Sequence, residues 1–134
     1  MIRNLKIDQT ATFAGLVFLS SKPKTAFGSD QQDRTKDGTP KWEVEVLGAF
    51  YGFNGETTNE VVKLGISSHT NPGEGIAPFR PVELVGFEVG IMEKTKKNPD
   101  GSEKIIGTTV WFRAKQVRDI AETVIKPGTD SKAA

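Results

Sequence analysis

Apolar and polar residues alternate with a period of two along most of the chain, which is typical of β-strands rather than helices. The alternation is clearest after Lys41, where Trp42, Val44 and Val46 share one face of a strand. Charged residues occupy the opposite face. This pattern predicts a half-buried strand with Trp42 in the core and the charges in solvent.

Five segments of this kind follow one another, and each is predicted as a strand. Asn54-Gly55, between the second and third segments, is a strong tight-turn signal. Within the fourth segment the phase of the alternation changes at Val85-Gly86, which predicts a bulge. The approximate bounds of the five segments are 11–20, 41–53, 58–67, 82–92 and 105–117.

Two connections between the predicted strands are long and polar. Residues 21–40 separate the first two strands, and a stretch of that length in a compact domain is typically functional or disordered. Residues 93–104 connect the last two strands and carry the turn motif Asn98-Pro99-Asp100-Gly101 with the flanks of a β-hairpin. Both connections are therefore candidate binding loops.

Sequential strands with little helix outline an all-β fold, a five-stranded barrel of the oligonucleotide/oligosaccharide-binding (OB) type with long loops after strands one and four. A compact β-sandwich is the alternative. Residues 116–124 are expected to form a short closing helix. We predict one barrel domain over residues 1–125 and a disordered tail over residues 126–134.

Composition excludes several classes of function. The chain of 134 residues has no Cys and one His, which excludes disulfides and thiolate chemistry and argues against a multi-histidine metal site. The 18 Lys and Arg nearly balance the 17 Asp and Glu, so net charge indicates no particular partner. No apolar run approaches the roughly 20 residues of a membrane span, and the N-terminus does not read as a secretory signal. We expect a cytoplasmic protein without membrane contact.

Four motifs together resemble a known group of proteins. The group comprises small OB-fold, single-stranded DNA-binding-like proteins of actinobacterial plasmids and integrative mobile elements. The resemblance covers roughly residues 33–117 and implies a mobile-element protein of DNA metabolism, of the replication or excision type. Single-stranded DNA and replication proteins are the partners that we expect. The motifs are Asp33-Arg34-Thr35-x-x-Gly38-x-Pro40-x-Trp42-x-Val44-x-Val46, Glu60-Val61-Val62-Lys63-Leu64, Pro81-Val82-Glu83-Leu84-x-Gly86 and Gly107-x-x-Val110-x-Phe112-Arg113-Ala114.

Aromatic residues interleaved with basic ones are typical of surfaces that bind single strands, because bases stack on the rings and phosphates contact the cations. If Val110, Phe112 and Ala114 face the core, the residues between them face out together. The stacking candidates and their cationic neighbours are Trp111, Arg113, Lys115, Tyr51 and Phe53. The candidate phosphate contacts in the two loops are Arg34, Lys36, Lys94, Lys96 and Lys97.

Ordinary structural roles compete with each of these assignments. The aromatic residues could belong to the core, and lysines at hairpin tips also keep sheet edges soluble. Catalytic patterns are weak, since Glu43 and Glu45 face solvent and His69 is isolated in a loop.

We therefore predict a non-enzymatic, cofactor-free protein that binds single-stranded DNA in the replication or transfer of a mobile element. The alternative is a protein-interaction or structural β-module that docks a replication or virion protein. Exposed strand edges would also allow a homo-oligomer.

Overall fold

The computed structural model describes residues 3–120, and this part of the chain is nearly all-β. Its one helix, α1, is a single turn over Gln9–Thr12. The prediction of an all-β fold with little helix is confirmed. The strands are β1 (Asn4–Lys6), β2 (Phe13–Pro23), β3 (Lys41–Tyr51), β4 (Thr57–Ser67), β5 (Val82–Val85), β6 (Glu88–Lys97), β7 (Glu103–Arg113) and β8 (Gln116–Asp119).

Six strands form one sheet that curls into a half-barrel, in the order β1-β6-β7-β4-β3-β2, and β5 and β8 form a second, two-stranded sheet. All neighbours in the large sheet are antiparallel except β4 and β7. These two run parallel and pair only through Leu64 with Phe112 and Gly65 with Arg113. We call this contact the parallel junction. Beyond it, the β3–β4 hairpin and the β6–β7 hairpin form two separate arms.

The core is built from the inward positions of the alternating strands. Val44 and Val46 of β3 are completely buried, as are nearly all of Leu64 and Ile66 of β4, as the alternation predicts. Aromatic rings extend this core across the sheet. The Phe87 ring lies 5.7 Å from that of Phe13 and 6.0 Å from that of Phe112, and the Phe13 ring lies 4.7 Å from that of Phe50.

The outer edge of β2 is joined to the segment that leads into β5. The Phe18 N–H donates to the Arg80 carbonyl at 2.9 Å, and the Phe79 N–H donates to the Phe18 carbonyl at 2.6 Å. Val17 and Pro81 form an isolated antiparallel bridge. Phe79 reaches this position with a φ of 70°, a left-handed conformation that is unfavourable for a residue other than glycine.

The side chain of Gln9 forms hydrogen bonds to the edge of β5 that does not pair with β8. The Gln9 amide oxygen accepts a hydrogen bond from the Leu84 N–H at 2.8 Å, and the amide nitrogen donates to the Leu84 carbonyl. Asp8 caps α1 by accepting from the N–H groups of Thr10 and Ala11, which holds Gln9 in place. The side chain thereby makes the two hydrogen bonds that a neighbouring strand would make.

Both C-terminal strands predicted from the sequence are divided, and the short strand β1 precedes the first, so the described residues form eight strands where the sequence predicts five. The predicted bulge lies at Gly86, where a φ of 66° separates β5 from β6. The expected helix over 116–124 is also wrong in its first part, because Gln116–Asp119 forms β8 and pairs with β5. Val117 of β8 is buried in the core, which favours the strand. The remainder of that segment and the predicted tail lie outside the described residues.

The two long connections have more structure than expected. β2 continues to Pro23, and bridges join Thr25 to Gln32 and Arg34 to Pro40, so residues 24–40 form a hydrogen-bonded loop. The second connection is not a long loop. β6 and β7 extend into it and leave only a tight turn, in which the Asn98 N–H donates to the Ser102 carbonyl at 2.7 Å.

The β6–β7 arm extends beyond the core, so the core does not cover the side chains on its inward face. Val110, expected inside, is 51% exposed. The pairing register shifts between Lys94 and Thr95, which leaves Ile106 of β7 as a bulged, unpaired residue. Ile105 and Ile106 are also exposed. The edge of β7 that faces the β3–β4 arm has no strand partner among the described residues outside the parallel junction.

Replacing Gln9 by Ala should destabilise the fold by roughly 1–3 kcal/mol, because the partly buried N–H and carbonyl of Leu84 lose their partners. Urea denaturation followed by circular dichroism measures the change in the free energy of unfolding. Gln31→Ala is the matched control, since this exposed side chain makes no hydrogen bond to another described residue, and it should change stability by less than about 0.5 kcal/mol. Equal effects of the two variants would contradict the role assigned to Gln9.

Candidate nucleic-acid interface

A groove of about 580 Å³ lies where the parallel junction meets the loop formed by residues 24–40. Its floor is the face of β3, β4 and β7 opposite the core, including Lys63, Gly65 and Ser67 of β4. These positions alternate with the buried Leu64 and Ile66, so the strands that carry the core also carry the groove. We call this feature the junction groove.

Trp111 forms part of one wall of the junction groove and is half-buried. It pairs in register with Gly90 of β6, and its indole lies directly over that glycine. A Cβ at position 90 would come within 2.1 Å of the indole Cε2. Only glycine therefore allows the ring to rest on the neighbouring strand, and this contact fixes the position of the ring.

Trp42 is at the edge of the junction groove, but its side chain lies on the core face of β3, because it pairs in register with the buried Ile66. It is half-buried, and its indole N–H donates to the Ser68 carbonyl at 2.8 Å. Trp42 is the second residue of β3, where the strand leaves the core, so its inward-pointing side chain is only partly covered. The alternation therefore predicts the correct face for Trp42 but not its incomplete burial.

Carboxylates partly neutralise the cations of the groove. The Arg113 guanidinium donates to Glu88 from Nη2 at 2.9 Å and from Nε at 3.1 Å. Lys41 and Asp33 form an ion pair at 3.5 Å. These pairs hold the cationic groups in fixed positions but reduce the net positive charge that they offer to a ligand.

Two lysines remain without a carboxylate neighbour. Within the described residues, no Asp or Glu oxygen lies within 4 Å of Lys24 or Lys36. The groove lining contains five basic side chains and one acidic side chain, Glu43. The surface is therefore positive even though the whole chain is nearly neutral, and it favours an anionic ligand.

A tight turn presents Lys36 at the groove. The Gly38 N–H donates to the Thr35 carbonyl at 3.0 Å, and Gly38 has a φ of 90°. Asp37 accepts hydrogen bonds from the hydroxyls of Thr35 and Thr39 and from the Thr39 N–H, and these bonds hold the pKa of its carboxyl below the ordinary value. The turn is therefore stabilised by an ionised carboxylate.

Two of the predicted site residues have other contacts. Arg34 donates from Nη1 to the Gly38 carbonyl at 2.9 Å, so its guanidinium is held within its own loop. The stem of Lys115 lies over Gly86, and its backbone N–H donates to the Val85 carbonyl at 2.8 Å. Lys115 is not part of the groove lining. Lys115 therefore lies apart from the groove wall that contains Trp111, because the chain bends between β7 and β8.

The other aromatic candidates are exposed but distant from the groove. Tyr51 lies on the same face of β3 as Lys41 and is 52% exposed, and Phe53 is fully exposed in the turn that follows. Tyr51 lies ten positions after Lys41 along β3, which corresponds to about 33 Å. These two residues and the junction groove do not form one compact site.

The lysines of the β6–β7 arm divide between its two faces. Lys94 and Lys96 alternate along β6 on the face that carries Gly90 and Trp111, whereas Lys97 lies on the opposite face and pairs in register with Glu103. All three are exposed. Only Lys94 and Lys96 therefore extend the basic surface that begins at the groove.

Comparison with family models, with curated proteins and with solved structures found no match for this chain. Within residues 3–120, no three metal-ligating side chains converge, and no helix has the length and apolar character needed to cross a membrane. Function must therefore be inferred from the interface itself.

Replacing Gly90 by Ala should displace the Trp111 indole, because the new methyl group would occupy the position of the ring. In a Trp42→Phe background, which isolates Trp111, the emission maximum and the near-ultraviolet circular dichroism should change. Gly107→Ala is the matched control on the same face of the arm, since a Cβ at that position meets no atom within 4 Å. Unchanged spectra for Gly90→Ala would show that the Trp111 ring does not depend on this glycine.

Proposed function

We propose that the chain is a non-enzymatic protein that binds single-stranded DNA in the junction groove. The observation that carries this proposal is the half-buried Trp111 indole in a groove with two lysines, Lys24 and Lys36, that lack carboxylate partners within the described residues. Single-strand binders combine these same elements, a cationic path for the backbone and aromatic faces for the bases. Paired bases in a duplex would have no faces free to stack, so a single strand is the expected ligand.

In the proposed mechanism, phosphates contact Lys24 and Lys36 first, and a base then stacks on Trp111. Contacts to phosphate release counterions, so affinity should fall steeply as salt increases. Stacking has little dependence on base identity, so the sequence preference should be weak. Binding to phosphate also competes with the Arg113–Glu88 ion pair, because the same guanidinium would contact the strand.

The connections between the strands support the assignment of the half-barrel to the OB type. If β5 with β6 and β7 with β8 are each counted as one bent strand, five strands remain besides β1. The bridge from β2 to Pro81 then joins the first strand to the fourth. In OB barrels the second and third strands carry the binding face, and these correspond to β3 and β4 under the groove. A cytoplasmic role in replication or transfer of a mobile element is part of the same proposal.

Replacing Trp111 by Ala should weaken binding to a fluorescent dT12 oligonucleotide by roughly 1–3 kcal/mol, the contribution of one stacked base. Fluorescence anisotropy measures the affinity, and DNA should quench the tryptophan emission of the native protein. Chemical denaturation is the control, since a half-buried tryptophan should contribute less to stability than the roughly 3–5 kcal/mol of a core tryptophan. Unchanged affinity in the Trp111→Ala variant would reject the stacking site.

Replacing Lys94 and Lys96 together by Ala should weaken binding to a dT12 oligonucleotide and reduce the slope of log affinity against log salt by about 0.7 per lost phosphate contact. Lys97→Ala is the matched control, because this neighbouring lysine projects from the opposite face. It should leave both the affinity and the slope nearly unchanged. An equal effect of Lys97→Ala would indicate that the overall positive charge of the arm attracts DNA, and not the face that carries Lys94 and Lys96.

The opposite face of the β6–β7 arm favours a second function, the docking of a protein partner. Ile105 and Val110 are more than half exposed on this face, where Glu93 and Glu103 also lie. Replacing both aliphatic residues by Asp would abolish such docking while preserving DNA affinity. Loss of DNA binding in that variant, with the fold intact, would instead assign this face to the nucleic-acid site.

A further inference from the structure

Residues 24–33 form a short hydrogen-bonded hairpin, which we call the loop finger, at the entrance of the junction groove. The Asp33 N–H donates to the Lys24 carbonyl at 2.7 Å, and Thr25 and Gln32 form an antiparallel bridge. The Lys24 N–H also donates to the Lys41 carbonyl at 3.0 Å, which ties the finger to β3. The finger is therefore a defined extension of the sheet, and its base residue Lys24 lines the groove.

The tip of the loop finger presents a phenylalanine that has no structural role. The Ser29 N–H donates to the Ala26 carbonyl at 3.0 Å, and Gly28 has a φ of 73°, so residues 26–29 form a β-turn with Phe27 at its second position. The Phe27 side chain is fully exposed and belongs to no part of the core cluster. The turn thus holds an apolar ring in solvent, away from every packing partner within the described residues.

The cations nearest the ring lie at the base of the finger, whereas Asp30, beside the tip, is acidic and exposed. Lys24 lies three residues from Phe27, which corresponds to about 10 Å along the backbone. Lys24 and Lys36 both lack a carboxylate partner within the described residues. A ligand that satisfies these lysines is anionic, and one that also stacks on the ring carries flat apolar groups. A nucleic-acid strand has both properties.

We propose that Phe27 is a second base-stacking platform, beside Trp111, and that the ligand is a single strand long enough to reach from the junction groove to the tip of the finger. This inference rests on the proposed function of the groove and adds the length of ligand that the site requires. The groove holds the central nucleotides, and the finger holds a base a few nucleotides further along. A footprint of this extent lies within the range of about 4–16 nucleotides observed for one OB-type domain.

The test compares two fluorescent oligonucleotides, dT4 and dT12, bound to the native protein and to Phe27 variants. Phe27→Ala should weaken dT12 binding about 5-fold or more, the equivalent of at least 1 kcal/mol for one lost stack, and should leave dT4 binding unchanged. Phe27→Tyr should retain the affinity for dT12, whereas Phe27→Leu should lose it, because leucine keeps the apolar surface without the aromatic face. Phe79→Ala is the matched control, since Phe79 is also exposed but lies outside the finger, on the segment that bonds to β2 at Phe18.

The possible failures are distinguishable. If the native protein binds neither oligonucleotide, the proposed function itself is wrong. If the native protein binds both and Phe27→Ala or Phe27→Leu binds dT12 as tightly as the native protein, the stacking role of Phe27 is overturned. A Phe27→Ala variant that changes the sedimentation coefficient of the free protein without changing dT12 affinity would assign the ring to a protein contact and would also overturn the proposal.

Discussion

Two residue pairs hold the halves of the large sheet together, and the remaining architecture depends on that short contact. Leu64 with Phe112 and Gly65 with Arg113 are the only register pairs between β4 and β7. Because the contact is short, the two hairpins continue beyond it as separate arms. Because it is parallel, the ends of β4 and β7 reach the same side of the molecule, where the groove forms. A longer pairing would close the space between the arms.

The two faces of the sheet at this junction have opposite chemistry, and each is specified by alternate residues of the same strands. Leu64 and Ile66 stabilise the fold, while the residues between them line a surface with aromatic and cationic groups. Glycine at position 90 is equally important, since it lets an indole rest on the backbone of the neighbouring strand. The site is thus formed by regular strands together with one folded loop, and its geometry follows from strand register.

Sequence alternation predicts on which side of a strand a residue lies, but not how deeply its side chain is buried. Val44 and Leu64 are predicted correctly because their strand positions are covered by the core. Trp42 and Val110 point to the same side and are not buried, because Trp42 lies at the start of its strand and Val110 lies on an arm that extends past the core. The contact between Trp111 and Gly90 depends on the register between distant segments, which a single sequence does not reveal.

The separation of the two arms leaves a long edge of β7 without a strand partner among the described residues. An edge of this kind presents unpaired N–H and carbonyl groups that can recruit another extended chain. The bulge at Ile106 interrupts the regular spacing of these groups and twists the edge, which is a known means of preventing strand addition. A single irregular residue in the arm therefore acts against the addition of a further strand at this edge.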